Sequence, residues 1–384
     1  MTKDYISKQK FMEELYRFKR GSITRRHFLN VTGLGAATAV MGAALPGLRP
    51  RPAFAAGDIG DRVVLATWPN YHDPANFDAF TEATGAAVQV NVFGSNEEML
   101  AKLQAGGSGW DVFVPTNYTI TTYVGEDLIE PLELSMLPNF DAGSYDPRFA
   151  EAGTVDGKLY AIPKDWGTTG YVVNTKHTGG RSLTSWKDFW DITRAEFSGR
   201  TMVHDYQLTT IGNALKYFGY SFNSVDPKEL ADAEKLLIDV KPHLFAISSD
   251  YQPSMRNGDA WMTMAWTGDG KQLHDDLPEM EYVLGVEGGE IWSDYYAIPK
   301  NAPHREAGYA LINFLTDPEV NAREVLAHGY PTADARTNAL LPPELANDPI
   351  LHPAPELLNA LEFGAAVTLT DPNRAELMAR FKSA

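Results

Sequence analysis

The stretch RVVLATWPNYHDPANFDAFTEATGAAVQVNVF, residues 62–93, contains one repeat of an alternating strand and helix pattern. Its β-branched start predicts a strand, and Phe77 and Phe80 lie at helical spacing ahead of Gly85, a residue type that often ends helices. The segment AVQVNVF then alternates as a second strand. This order predicts an α/β domain.

The same pattern continues after this stretch. Ser95 and Glu98 have the spacing of a helix capping box, and Gly106 is expected to end that helix. The segment WDVFVPTNY, residues 110–118, predicts a short strand that runs into a polar and aromatic loop. A second strand is therefore followed by an aromatic residue, as the first is followed by Trp68.

Large aromatic side chains follow both predicted strands at their carboxyl ends. In open α/β sheets ligands bind outside the carboxyl ends of the strands, and Trp68, Tyr71 and Tyr118 occupy such positions. Any one of these rings could instead cover the edge of a core. Three of them together favour the wall of a ligand pocket.

The length and an internal repeat predict two domains. A chain of 384 residues is long for one core. The tetrapeptide AIPK occurs at residues 161–164 and 297–300, on either side of a segment of domain size. We expect crossovers there, because the chain of a hinged two-lobe protein passes between its lobes more than once. The predicted boundaries are 57–165 with 294–331 for lobe 1, and 166–293 with 332–384 for lobe 2.

The first 56 residues differ in composition from the rest. The twin arginine of TRRHFLN, residues 24–30, precedes an apolar run rich in glycine and alanine over residues 31–48. An A-x-A cleavage pattern follows at residues 53–55. This arrangement resembles a twin-arginine export signal, so residues 1–56 are predicted to be removed and the mature protein to lie in the periplasm. The glycines of the apolar run make a retained membrane anchor the less favoured alternative.

The charge of the mature chain excludes one class of partner. The first 56 residues hold 10 Lys and Arg and 3 Asp and Glu, so the other 328 residues hold 23 and 47, a formal net charge of −24. Such a chain offers no basic surface for nucleic acid, and its field favours a cationic ligand. The chain contains no cysteine, which rules out disulfides, thiolate metal sites and a cysteine nucleophile.

The order of motifs along the mature chain resembles the spermidine/putrescine-binding family, the periplasmic receptors of bacterial ABC importers. The motifs that carry the resemblance are TWPNY, GSNEEMLAKL, WDVFVPTNY, AIPKDWGTTGYVVN, TSWKDFW, GGEIWSDYYAIP, INFLTDPEV, HGYPTAD and LPPELANDP. The resemblance implies an α/β protein with the two-lobe, type II-like periplasmic binding protein fold and a ligand in the inter-lobe cleft. It also implies a small cationic amine as ligand and an inner-membrane ABC permease as partner. We expect a monomer, and the sequence shows no cofactor signature.

The resemblance assigns roles to particular residues. Asp294 stands where the family has an acid that pairs with an amine, Thr116 matches a small hydroxyl position, and Asp205 matches a second acid, although the loop behind it is one residue longer. Tyr71, beside Asn70, belongs to the same predicted site. The family's aromatic positions in the cleft correspond to Trp68, Tyr118, Trp266, Trp292 and Tyr330.

Two carboxylates that the family pattern contains are absent. Asn70 stands where the first motif has an acid, and a further acid after Asp205 falls on Leu208 or Thr209. A long polyamine would then be incompletely neutralised. The departures favour a ligand with fewer cationic centres, such as putrescine, a monoamine, or an amine that also bears a carboxylate.

Two other classes of function receive less support. An enzyme could use His204 with Asp205 or the segment HDDLPEME, but neither has a nucleophile or a metal-ligand spacing beside it. A ferric-iron receptor could use Tyr295 and Tyr296, yet neighbouring side chains in a strand point to opposite faces. We therefore expect a binding protein without catalytic or metal-ligating residues.

Overall fold

The chain forms two compact units in a computed structural model that describes residues 7–32 and 59–384. Unit 1 comprises the described residues up to Pro115, together with Tyr123–Asp165 and Asp294–Asp348. Unit 2 comprises Thr116–Thr122, Trp166–Ser293 and Pro349–Ala384.

The helices and strands alternate along most of the chain. Up to Asn174 they are α1 (Lys8–Lys19), α2 (Arg25–Val31), β1 (Arg62–Thr67), α3 (Pro74–Thr84), β2 (Ala87–Val92), α4 (Asn96–Gln104), β3 (Val112–Phe113), α5 (Ile120–Gly125), α6 (Pro147–Ala150), β4 (Thr154–Val155), β5 (Lys158–Leu159) and β6 (Ala161–Asn174). From Trp186 they are α7 (Trp186–Ala195), β7 (Thr201–Val203), α8 (Gln207–Tyr217), α9 (Pro227–Val240), β8 (Leu244–Ile247), α10 (Gln252–Asn257), β9 (Met262–Trp266), α11 (Thr267–Asp276), β10 (Met280–Val283), β11 (Gly289–Ala297), α12 (Arg305–Leu315), α13 (Pro318–His328), α14 (Ala335–Asn338), α15 (Pro343–Ala346), α16 (Pro355–Ala360), β12 (Leu361–Phe363), α17 (Val367–Thr370) and α18 (Pro372–Ser383).

The sheet of unit 1 is centred on β1. Strand β1 lies between β2 and β3 and runs parallel to both, with Leu65 opposite Val90 on one side and Val112 on the other. The end of β11 joins the sheet antiparallel to β3, and α12 packs against β1. Because β1 and β3 are parallel, the loops that follow them leave at the same edge of the sheet, as the sequence predicted.

Unit 2 has its own set of paired strands and its own core. Strand β6 pairs antiparallel with β9 and β10, β9 pairs parallel with β7, and β7 pairs parallel with β8. Helices α7, α8, α9 and α18 pack together around a core that includes the fully buried Trp186 and Trp190. The unit therefore has the independent core that the two-domain prediction requires.

The chain passes between the units near both AIPK segments. Strand β6 leaves unit 1 after Asp165, and β11 enters unit 1 at Asp294. The last passage lies at 348/349, whereas the sequence placed it at 331/332. The chain stays in unit 1 longer because the N–H of Asp146 donates to the carbonyl of Ala333 and α14 packs against α13.

A short segment after β3 also differs from the predicted boundaries. Thr116–Thr122 was assigned to lobe 1 but belongs to unit 2. There the side-chain amide of Asn117 donates to the carbonyl of Gly364 at 3.3 Å and accepts a hydrogen bond from the backbone N–H of Ser293. These bonds attach the loop to the strands of unit 2.

The predicted helix ends are confirmed, with one correction. Helix α3 ends at Gly85, whose φ of 83° lies in the left-handed region that favours glycine. At the start of α4 the Ser95 hydroxyl accepts the N–H of Glu98, as expected. The Glu98 carboxylate instead accepts the N–H of Gly94, so the reciprocal bond of the capping box was predicted wrongly.

The segment that carries the twin arginine begins with a packed helix. Helix α1 packs against α13 of unit 1, buries Met12, and places the Lys19 ammonium 2.7 Å from the Asp73 carboxylate. The twin arginine lies in α2. The predicted cleavage site and all but the first two residues of the apolar run lie outside the described residues. Among those that are described, no helix is long and apolar enough to cross a membrane.

Candidate ligand-binding site

Two aromatic side chains of the loop TWPNYHD differ in burial. Trp68 is half-buried and meets Phe93 edge-on, with ring centroids 4.6 Å apart. Its indole N–H has no acceptor among the residues that the structure describes. Asn70 is exposed and turns the chain with a φ of 55°, a conformation that asparagine tolerates better than most residues. This turn directs Tyr71 into the interior of unit 1.

The Tyr71 hydroxyl lies between two buried carboxylates. It is 2.6 Å from Oδ1 of Asp165 and 2.8 Å from Oδ2 of Asp294. Burial, and then the charges of these two carboxylates, raise the pKa of the Tyr71 phenol well above its ordinary value. The phenol therefore keeps its proton and acts as a hydrogen-bond donor.

A buried lysine completes this group. The Lys164 ammonium is 2.7 Å from Oδ2 of Asp165 and 3.7 Å from the centroid of the Tyr71 ring. Burial raises the pKa of Asp165, and the charge of Lys164 opposes that rise. Tyr71, Lys164, Asp165 and Asp294 are called the carboxylate cluster below.

His328 and Tyr330 border the carboxylate cluster. The backbone N–H of Tyr330 donates to Nδ1 of His328, so the hydrogen of the neutral ring resides on Nε2, which lies 3.5 Å from Asp165. Burial, followed by the charge of Lys164, lowers the pKa of His328 well below its ordinary value, which keeps the ring neutral. The Tyr330 ring lies 5.5 Å from the Tyr71 ring, edge-on.

A second buried pair fixes the end of the loop. Nδ1 of His72 lies 2.7 Å from the carboxylate of Glu324, and Nε2 lies 3.0 Å from the Thr67 hydroxyl. Burial would raise the pKa of Glu324, but His72, Lys164 and the amide of Asn76 together hold it below its ordinary value. The loop is therefore attached to α13 on the side away from its exposed turn.

Unit 2 presents an aromatic cluster formed by His204, Tyr206, Tyr251 and Trp266. Trp266 is half-buried at the end of β9, and its indole N–H donates to the Tyr206 hydroxyl at 3.3 Å. The His204 ring lies 4.5 Å from the Trp266 ring, and burial lowers the pKa of His204 to about 3. The cluster is thus uncharged at neutral pH.

Three other predicted site residues are buried in unit 2. Thr116 and Tyr118 lie in the loop after β3, and Tyr118 contacts Gly364. The Trp292 ring lies against Gly167, where a Cβ atom would stand 2.5 Å from the indole. Only glycine permits that approach, which explains why the segment AIPKDWG ends as it does.

The second predicted acid is exposed. Asp205 lies on the surface of unit 2 and accepts a hydrogen bond from the Ser249 hydroxyl at 2.6 Å. Leu208 and Thr209, where the family pattern places a further acid, are buried in α8. Unit 2 therefore offers one exposed carboxylate at these positions.

Comparisons with known proteins identify the family. Residues 75–353 match the family described as bacterial extracellular solute-binding protein. A spermidine/putrescine-binding periplasmic protein of Escherichia coli is 32% identical over 329 residues, which cover 84% of this chain and 93% of that protein. The chain belongs to the bacterial extracellular solute-binding proteins.

Other members of this solute-binding family extend the match. A putrescine-binding periplasmic protein of Pseudomonas aeruginosa is 30% identical, over 77% of this chain and 84% of its own length. The solved structure of a spermidine/putrescine ABC transporter substrate-binding protein from Streptococcus pneumoniae superposes with a TM-score of 0.71 at 29% identity, covering 84% of this chain and 99% of that one. The predicted α/β two-lobe fold is confirmed.

Membership of a solute-binding family means that this chain acts by binding. The two phenols considered for iron contact different neighbours: the Tyr295 hydroxyl donates to the Phe149 carbonyl at 2.6 Å, and the Tyr296 ring lies 6.4 Å from the His72 ring. Within residues 7–32 and 59–384, no three His, Asp or Glu side chains are arranged to hold a metal ion.

The structure brings together some predicted residues and adds others. Tyr71, Asp294 and Tyr330 lie together in unit 1. Sequence reasoning missed Lys164 and Asp165, which it treated only as the end of a repeat. A signal was present, because two adjacent charges interrupt a strand whose fourteen residues are otherwise uncharged and all buried.

Proposed function

We propose that this protein captures a polyamine or a related small cationic amine in the periplasm and delivers it to an inner-membrane ABC permease. The observation that carries the proposal is the position of Asp294, a buried carboxylate that accepts a hydrogen bond from Tyr71 beside the Tyr330 ring. The relatives named above for spermidine and putrescine support the same ligand class.

The chemistry of an alkyl ammonium suits both units. A carboxylate binds the cationic head through charge-assisted hydrogen bonds, which are about twice as strong as neutral ones. Aromatic faces attract the same head by about 0.5–2 kcal/mol each and also cover the methylene chain. Asp294 and Tyr330 supply these groups in unit 1, and Trp266 and Trp292 supply aromatic surface in unit 2. The net charge of −24 over residues 57–384 adds a general attraction for cations.

Export by the twin-arginine pathway forms part of the proposal. The twin arginine in TRRHFLN supports this route, which carries proteins that have already folded. Replacing Arg25 and Arg26 by lysine should leave the precursor in the cytoplasm. Export of that variant at the wild-type rate would refute this route without affecting the ligand assignment. We further propose that the exported protein is a monomer.

Calorimetric titration of the exported protein tests the ligand class. Putrescine, spermidine and n-butylamine are the probes, and n-butanol serves as the control that has the chain but lacks the charge. We expect saturable binding of at least one amine and none of the alcohol. Binding of the alcohol with equal affinity, or of no amine at all, would contradict the proposed function.

A further inference from the structure

Helix α1 precedes the twin arginine and places one stripe of its surface against unit 1. Lys8, Met12 and Lys19 lie within about 40° of one another around a helix of 3.6 residues per turn. The Lys8 ammonium forms an ion pair with Glu319 in the first turn of α13. The Lys19 ammonium lies 2.7 Å from the carboxylate of Asp73, the residue just before α3. Met12 lies between the two lysines along this stripe and is fully buried, so the stripe is the surface by which α1 contacts the folded unit.

The neighbouring stripe of α1 contacts α2. Phe11 and Phe18 lie two helical turns apart on α1, and their ring centroids are 5.8 Å and 5.2 Å from that of Phe28 in α2. Phe28 is buried, whereas Arg25 and Arg26 on the same short helix are exposed. Helix α1 therefore uses one stripe for unit 1 and another for α2, and the twin arginine stays accessible.

Charge favours the docking of this segment. The predicted leader, residues 1–56, carries a formal charge of +7 from 10 Lys and Arg against 3 Asp and Glu, whereas the rest of the chain carries −24. At the contact itself, two lysines of α1 meet two carboxylates of unit 1. The leader and the remainder of the chain therefore attract each other both generally and at the contact.

The helical structure of α1 depends on this contact. A helix of 12 residues is marginal in water, because the cost of starting it is offset by few hydrogen bonds. The Ser7 hydroxyl accepts the N–H of Lys10 at 3.2 Å, which satisfies one of the backbone groups left free at the start of the helix. Packing of the buried side chains has to supply the remaining stabilisation. The surface that α13 and the start of α3 offer for this packing exists only when unit 1 is folded.

We propose that α1 is a docking element that recognises folded unit 1, holds the leader on that unit before cleavage, and loses its helical structure when unit 1 unfolds. The surface it recognises comprises α13 from Glu319 onward, with Asp73 beside it. The conformation of the leader then reports whether unit 1 has folded, which suits an export route that carries folded proteins. This inference concerns the precursor and is independent of the ligand that the exported protein binds.

Hydrogen exchange of the full-length precursor, read by mass spectrometry over residues 8–19, measures whether α1 is docked. Met12→Asp places a charge in the buried stripe, and Gln9→Asp places the same charge on an exposed residue of the same helix as the matched control. Lys8→Glu breaks the ion pair with Glu319, and Lys8→Glu/Glu319→Lys restores the pair with its charges exchanged. Exchange over α13 shows in each variant whether unit 1 has folded.

In the wild type we expect the amides of α1 to exchange slowly and to lose their protection at the same urea concentration as α13 or at a lower one. Met12→Asp should speed the exchange of α1 by more than about tenfold while α13 stays protected, because a charge is not buried there without a partner. Gln9→Asp should leave both helices unchanged. Lys8→Glu should speed the exchange of α1 by about two- to fivefold, as expected for an exposed ion pair, and the double variant should recover the wild-type rate.

Other results would overturn the proposal. Exchange of α1 in the wild-type precursor as fast as in a peptide of residues 1–32 would show that the helix does not dock. Protection of α1 that persists after α13 has unfolded, or that survives Met12→Asp, would show that the helix is stable without unit 1. If Met12→Asp also unfolds α13, the ion pair decides the question, and an unchanged exchange rate of α1 in Lys8→Glu would then overturn the proposal.

Discussion

Buried acids have different partners in the two units. In unit 1 the buried carboxylate of Asp165 faces Lys164 and that of Glu324 faces His72, and the pKa of Glu324 is held below its ordinary value. In unit 2 the buried Glu290 accepts a hydrogen bond from the neutral hydroxyl of Thr169, and burial raises its pKa to about 7. Burial raises the pKa of Asp165 and of Glu290, and only at Glu324 do the neighbouring groups outweigh it.

The site residues follow the same division. Unit 1 places two acidic side chains around the Tyr71 hydroxyl, whereas unit 2 collects rings around Trp266 with a neutral His204. Acidic groups beside a ring suit an ammonium, and a group of neutral rings suits an apolar chain. The experiments below test this division.

The largest expected effect comes from the buried acid of unit 1. Asp294→Asn should cost about 2–5 kcal/mol of amine-binding free energy, because the ammonium would face a neutral amide. The matched control is Asp205→Asn in unit 2, whose exposed carboxylate should contribute about 0.2–1 kcal/mol. Titration of both variants with putrescine gives the comparison. Equal losses of binding free energy in the two variants would contradict the proposed difference between the units.

Two buried acids, Glu290 in unit 2 and Glu324 in unit 1, should contribute to the pH dependence of stability with opposite signs. The folded pKa of Glu290 lies above its ordinary 4.5, so the native state binds the extra proton between about pH 4.5 and 7, and its contribution to stability is lost as the pH rises through that range. Glu290→Gln should remove this loss of about 3 kcal/mol. The measurement is thermal unfolding at pH 5 and pH 8.

Glu324→Gln provides the reversed case. Because the folded pKa of Glu324 is lowered, its contribution is present above the ordinary value of 4.5 and is lost as the pH falls through the folded pKa. Relative to the wild type, the variant should therefore be destabilised more at pH 8 than at pH 3. If the difference in stability between variant and wild type changed with pH in the same direction for Glu290→Gln and Glu324→Gln, the proposed difference in their surroundings would be contradicted.

Aromatic side chains should have intermediate effects. Trp266→Ala and Trp68→Ala remove half-buried rings from unit 2 and unit 1, and each should weaken amine binding by about 1–3 kcal/mol, with Trp266 the larger. Both should destabilise the fold by less than the roughly 3–5 kcal/mol of a fully buried tryptophan such as Trp190. If Trp68→Ala unfolds the protein while the folded fraction binds normally, Trp68 belongs to the core.

The smallest effect should come from the exposed turn. Asn70→Glu restores the acid of the family pattern and should shift preference toward a ligand with an additional amino group by less than about tenfold, because exposed charges are screened. Asn70→Gln is the control for the backbone, because replacing asparagine at a φ of 55° costs about 1 kcal/mol in either variant. An equal shift in ligand preference in both variants would show that charge is not its cause.

The sequence predicted most of the fold because its signals were local. Gly85 and Ser95 act on neighbouring residues, and the alternation around β1 and β2 needs no distant contact to be read. The last domain boundary was misplaced because it depends on Asp146 and Ala333, which are far apart in sequence.

The site was predicted less completely for a related reason. Tyr71 and Asp294 could be proposed from loop position and resemblance, but their contact joins residues 223 positions apart. The contacts of Lys164 with Asp165 and Tyr71 depend on its burial, and a sequence does not state which lysines are buried. Charged residues inside an otherwise apolar strand are the signal to look for in such cases.

The central claim is that this protein holds a small cationic amine. Native mass spectrometry of the protein recovered from the periplasm, followed by identification of the released ligand, tests it most directly. We expect an aliphatic amine, with a diamine more abundant than a triamine, and its loss in Asp294→Asn. A ligand without an ammonium group, or one retained equally by Asp294→Asn, would contradict the account.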